Sequence, residues 1–168
     1  KQEKVAGQDI YYNIFDINRL YAISEKSHIS IELDFDEQQI KIPCLKAPID
    51  NSDYESYIAI MPGQGLAMLY KQFGARLLEQ NVRSFLQFTG KINRGIRKTI
   101  NEESHMFLAY NNGISATADN IELDETGHYV KRISNLQIVN GGQTTASIYH
   151  TWDKDKADIS NIFVQMKI

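Results

Sequence analysis

Apolar and polar positions alternate, or recur at helical spacing, along most of the 168-residue chain. Ile29, Ile31, Leu33 and Phe35 fall on one face of an extended segment, and His28, Ser30, Glu32 and Asp34 on the other. That pattern predicts a strand with one wet face. Asp36-Glu37 reads as a turn into Gln39 to Leu45, where Ile40 and Ile42 continue the alternation, so the pair predicts a hairpin ended by Pro43. Tyr57 to Met61 predicts a short buried strand. Pro62-Gly63 breaks it, and Leu66 to Phe73 predicts a helix closed by Gly74. Arg76 to Phe88 also reads as helical. Ile92, Ile96 and Ile100 are spaced by four, which predicts a helix stripe that leaves Arg94, Arg97 and Lys98 exposed.

The flanking segments are less regular. Lys1 to Gln8 is polar and reads as a loose start, and Ile14, Ile17, Leu20 and Tyr21 then have helical spacing. His105 to Tyr110 predicts a strand, and Asn111-Asn112-Gly113 a tight turn. Ile114 to Leu123 is the expected returning strand, with a second turn over Asp124 to Gly127. Val130 to Val139 carries a further strand, expected over its Leu136 to Val139 part and broken by Asn140-Gly141-Gly142. Thr144 to Trp152 predicts a helix, Asp153 to Asp158 a charged loop, and Ile162 to Ile168 a last strand. No cap or polar exit follows that strand, so the expectation is that the protein continues beyond Ile168. Hairpins mixed with helices predict an α+β architecture, with a mixed or antiparallel sheet and several packed helices. Two regions are expected: a hairpin-containing region over 1–56 and one continuous domain over 57–168.

Composition narrows the class. Hydrophobic residues make up 42% and aromatics 10%, too much for a disordered chain. The single Cys fits a reducing compartment. No apolar run approaches the roughly 18 residues of a membrane span. The expectation is a cytoplasmic protein without a membrane partner. The formal net charge of -3 hides opposite local signs. From Glu32 to Glu55 seven acids face two bases, whereas from Lys71 to Lys98 seven bases face one acid. The second segment is a candidate footprint for phosphates, or else a solvated basic surface.

Gln137-Ile138-Val139-Asn140-Gly141-Gly142-Gln143-Thr144-Thr145 carries the most chemistry. A strand enters two glycines and then a helix, and a helix start offers unpaired N–H groups at the positive end of its dipole. Glycines admit a ligand oxygen, the Thr hydroxyls and the Gln143 amide add donors, and the set makes a phosphate cradle. The alternative is a tight turn in which Thr144 only caps. No Gly-Lys-Ser/Thr follows at the spacing of a Walker loop. Ile58 to Ala67 has the look of a dinucleotide fingerprint, but Met68 stands at the third glycine position and no acidic residue ends a second strand. The plain account there is a chain reversal that needs glycine flexibility. His28, His105, His128 and His150 have no zinc spacing, and Cys44 beside Pro43 lacks a local activating base. Gln165 and Lys167 share one face of the last strand, as in some nuclease cores, but their nearest upstream acid is Asp158 in a loop.

Five phrases occur in order: Tyr57-Ile58-Ala59-Ile60-Met61-Pro62-Gly63 with Leu66 to Tyr70; Gly74 to Leu86; Ile92-Asn93-Arg94-Gly95-Ile96 with Thr99-Ile100; Phe107 with Tyr110-Asn111-Asn112-Gly113-Ile114; and Gln137 to Thr145. Together they resemble the abortive infection phage resistance (AIPR) family of bacterial proteins, over most of the chain from about Ile14. The resemblance implies a cytoplasmic phage-defence protein, often associated with restriction-type systems. It supplies no agreed catalytic residues.

The leading expectation is recognition of nucleic acid or nucleotide phosphates. Arg83, Arg94, Arg97 and Lys98 are the basic contacts. Asn140, Gly141, Gly142, Gln143, Thr144 and Thr145 form the cradle, and Asn81, Asn111 and Asn112 supply amides. Two alternatives stand beside it. One is a nuclease or nucleotide hydrolase with residues beyond Ile168, for which Mg²⁺ would be the cofactor. The other is a sensor module that meets a phage or restriction-system protein.

Overall fold

The computed structural model describes residues 2–5, 8–11, 31–49, 53–78 and 91–168. The chain divides into two units, Lys1–Ser30 and Ile31–Ile168. In the first, β1 (Gln2–Val5) pairs antiparallel with β2 (Gln8–Tyr11), so the polar start enters a hairpin. The helical spacing over Ile14 to Tyr21 lies outside the described residues.

The second unit holds two sheets and their helices, an α+β architecture as the patterning predicts. Its strands are β3 (Glu32–Asp34), β4 (Cys44–Lys46), β5 (Tyr57–Pro62), β6 (Ile114–Thr117), β7 (Asn120–Leu123), β8 (Val130–Ser134), β9 (Gln137–Asn140) and β10 (Phe163–Lys167). The helices are α1 (Gly63–Phe73), α2 (Lys91–Glu102), the short α3 (Phe107–Tyr110) and α4 (Gly142–Asp155). One sheet runs β4-β5-β10-β6-β9, antiparallel except for the parallel β10–β6 pair. The other is an antiparallel β3-β8-β7 ribbon.

Alternation places the core. Tyr57, Ala59 and Met61 of β5 point inward with Val164 and Met166 of β10, Ile114 and Ala116 of β6 and Ile138 of β9. Leu66, Ala67 and Leu69 of α1 and Ile148 of α4 join the same buried cluster, as do Leu33 and Ile133 of the smaller sheet. Both α1 and α2 pack against α4. On the opposite face of the larger sheet Leu45, Ile58 and Phe163 are exposed.

Three local expectations are corrected. The turn after Phe35 forms, with Gln39 N–H donating to the Asp36 carbonyl at 3.1 Å and Ile40 N–H to that of Phe35 at 3.0 Å. Yet it does not join a hairpin: β3 pairs with β8 and β4 with β5. Asp34 accepts from Arg132 at 2.8 Å and Glu32 from Ser134 at 2.7 Å, so distant side chains hold β3. Residues 104–110 are helical, as a 3-10 turn and α3, not extended. Only Phe107 is fully buried, with Leu108 and Tyr110 exposed, and so short an apolar run has no period to separate helix from strand. Ile114 to Leu123 splits into β6 and β7, which belong to different sheets.

The Pro62-Gly63 junction needs no unusual backbone conformation, since positive φ occurs elsewhere. Gly63 is the first residue of α1, and its N–H donates to the Ile162 carbonyl at 2.7 Å. A Cβ there would stand 2.7 Å from Ile162 Cβ. The glycine thus allows close packing at the start of the helix. Of the helix expected over Arg76 to Phe88, only Arg76 and Leu77, which end the 3-10 turn Gly74–Leu77, and Leu78, which bridges to Ile138, fall among the described residues.

Candidate functional site

The Gly-Gly-Gln-Thr-Thr segment opens α4, as the strand-to-helix pattern predicts. Gly141 adopts φ +89°, and a Cβ on it would lie 2.9 Å from Ile114 Cγ1. Gly113 has φ +83°, and a Cβ on it would lie 2.6 Å from the Gln165 carbonyl oxygen. Both glycines therefore serve a tight junction between β6, β10 and the start of α4. Thr145 turns its hydroxyl onto the Gly141 carbonyl at 3.1 Å. Asn111 donates its amide to Thr144 Oγ1 at 3.3 Å and accepts the Gly113 N–H at 3.0 Å. Gly142, Thr144 and Thr145 are buried, Gln143 is half-buried, and Asn140 and Asn112 are exposed. Most of this first turn faces protein.

The basic residues gather elsewhere. A cleft of about 330 Å³ lies between α2 and α4, lined by Asn93, Arg94 and Arg97 of α2 with Ser147, His150, Thr151, Lys154 and Asp155 of α4. Three cations thus share it with one carboxylate. Arg97 grips Asp155 through two parallel bonds, Nε to Oδ2 at 2.5 Å and Nη2 to Oδ1 at 2.6 Å. This fork geometry is the one a guanidinium also offers to phosphate. Thr151 donates its hydroxyl to the Ser147 carbonyl at 2.7 Å, so it braces α4 from within. Burial holds the His150 imidazole below its ordinary range, the nearby Lys154 charge adds to this, and Asp153 opposes it. His150 therefore faces the cleft as a neutral ring at pH 7. Lys98 stands apart, exposed and 3.7 Å from Glu102 one turn on.

Asp155 lies thirteen residues beyond Gly142 along α4. At 1.5 Å per residue, the two ends are roughly 20 Å apart. The structure therefore joins Arg97 to the last turn of α4, far from the glycine turn, in a cleft that begins at Ser147, five residues beyond Gly142. Arg83 and Asn81 lie outside the described residues. Spacing missed Lys154 and Asp155 because the charged residues after Trp152 read as a loop, and His150, inside the expected helix, was weighed only as a zinc ligand. Extending the helix by one turn would have placed 147, 151, 154 and 155 on one face.

The cleft and the glycine turn lie within a single stretch of family likeness. The AIPR protein family model matches residues 78–168, more than half of the chain. The chain belongs to the AIPR family. This is a family of phage-defence, abortive-infection proteins. No curated protein and no solved structure matches the chain. Both helices of the basic cleft fall inside the matched region, as does the Asn111-to-Gly113 turn. Among the described residues no helix is long and apolar enough to cross a membrane. Among the same residues no group of three or more His, Cys, Asp or Glu is placed to hold a metal ion.

Proposed function

We propose that this AIPR-family chain recognises phosphates of nucleic acid or nucleotides, and that it gathers them in the cleft between α2 and α4. The observation that supports this is the convergence of Arg94, Arg97 and Lys154 on one cleft with a single carboxylate. A cleft with an excess of cations concentrates anions, and guanidinium groups match phosphate oxygens in pairs. The Arg97 fork on Asp155 is the competing internal state, so a phosphate must displace or share it. The glycine turn supports the site indirectly, by anchoring the start of α4 against β6.

The test is calorimetric titration of the chain with DNA, RNA and nucleoside triphosphate at two salt concentrations. With three cations engaged, affinity for a single strand falls roughly tenfold between about 50 and 200 mM salt. Charge reversal of Arg94 and Lys154 together removes that dependence. Absence of binding to all three ligand classes overturns the proposal. A protein partner is the second reading, favoured by the exposed Leu45, Ile58 and Phe163 on one sheet face. Charge reversal in the cleft leaves such a partner bound.

A further inference from the structure

α4 carries a second groove on its other flank. It measures about 630 Å³ and is lined by Gln38, by Met68, Lys71 and Gln72 of α1, and by Trp152 of α4. Its lining is mainly apolar, with amides at the rim. Trp152 is half-buried, so part of its ring faces the groove. The Lys71 ammonium stands 5.6 Å from the ring centroid, a distance at which a cation is attracted to an aromatic face. Met68 is 45% exposed beside it.

Trp152 sits next to Thr151 in sequence and within one helical turn of Asp155, yet it faces α1 while Thr151 and Asp155 face α2. The basic cleft and the aromatic groove are therefore opposite flanks of one helical turn. A helix with its side chains is roughly 10–12 Å across, a distance that a few nucleotides span. Cations for the backbone and an aromatic face for an unstacked base are what a single strand requires. A duplex keeps its bases stacked within, and an inorganic phosphate chain has none.

Resting on the phosphate reading above, we infer that the ligand is a single-stranded nucleic acid that crosses the C-terminal turns of α4. Its phosphates lie along Arg94, Arg97 and Lys154, and one base stacks on Trp152. Lys71 then moves from over the ring to a neighbouring phosphate. The Gln38 and Gln72 amides meet base edges, which gives tolerance of sequence and not strict selection.

Trp152 is the single tryptophan of the chain, so its fluorescence reports this contact directly. The probes are oligothymidylate, an abasic strand of equal length, a duplex of equal length, inorganic tripolyphosphate and polyglutamate. Oligothymidylate is expected to quench the emission, while the abasic strand and tripolyphosphate bind by calorimetry without quenching. The duplex and polyglutamate are expected to leave the emission unchanged. Trp152→Ala weakens oligothymidylate by about five- to a hundredfold and leaves tripolyphosphate affinity as it was. Trp152→Phe, which keeps a ring and the packing, retains most of the oligonucleotide affinity. Unchanged emission at saturating oligothymidylate, equal affinity for the abasic strand, or equal quenching by duplex or polyglutamate overturns the inference. If tripolyphosphate binds in those cases, the phosphate site stands and only the stacked base falls. If neither oligothymidylate nor tripolyphosphate binds, both fall.

Discussion

Gly113 shows how closely the fold can constrain one residue. Its φ of +83° and the nearness of Gln165 leave no room for a side chain. Gly113→Ala is expected to cost about 2–4 kcal/mol of stability, read as a lower denaturant midpoint at unchanged slope. His150 makes a different residue-scale prediction. Its imidazole is held below the ordinary value of 6.5, so the unfolded chain binds a proton more readily than the folded one. Its share of stability is therefore complete above about pH 6.5 and is lost as pH falls below it. The ring is packed by Tyr70 and Tyr149, and Arg94, Arg97, Lys154 and Asp155 share its cleft. His150→Gln is expected to flatten the decline in melting temperature between about pH 6.5 and 5. An unaltered decline would show that other groups carry it.

At the scale of elements, the β7–β8 hairpin rests on a carboxylate. Asp124 accepts the Thr126 hydroxyl at 2.7 Å and the N–H groups of His128 and Tyr129 at 3.0 Å each. The Thr126 bond and these backbone donors hold it down to about 2. A carboxylate lowered in this way stabilises fully above its ordinary 3.8 and loses that contribution as pH falls toward 2. Asp124→Asn is expected to lower the melting temperature near pH 7 and to make its acid decline shallower. The turn was legible because Asp, Gly and Thr cluster between alternating runs. The turn after Phe35 was legible from Asp36-Glu37 between two alternating runs, but its strands were not partners. Alternation says which face of a strand is buried and says nothing about its neighbour.

Across the whole molecule, β9 links distant parts. Ile138 is fully buried, pairs with Ala116 of β6 and bridges to Leu78. Ile138→Ala is expected to cost about 2–5 kcal/mol, measured as a shift of the urea midpoint. A cost near zero would mean that this strand is dispensable to the core. The candidate site shows the same division between near and far. Arg94, Arg97 and Lys98 were legible as the exposed side of an isoleucine stripe, and all three are exposed. That Arg97 engages Asp155 was not legible, because 58 residues separate them and the contact exists only where two helices pack.

The sequence by itself determined the α+β class, the strand–glycine–helix joint at Gly141, the basic side of α2 and the family. These follow from local periodicity, from backbone positions that glycine alone occupies easily, and from ordered short phrases. Only the tertiary structure decided which strands pair and which cations share a cleft. It also brought Trp152 and Lys71 together. Such choices depend on close packing between residues far apart in the chain, where shape and charge must fit at once and local pattern carries no record of the partner.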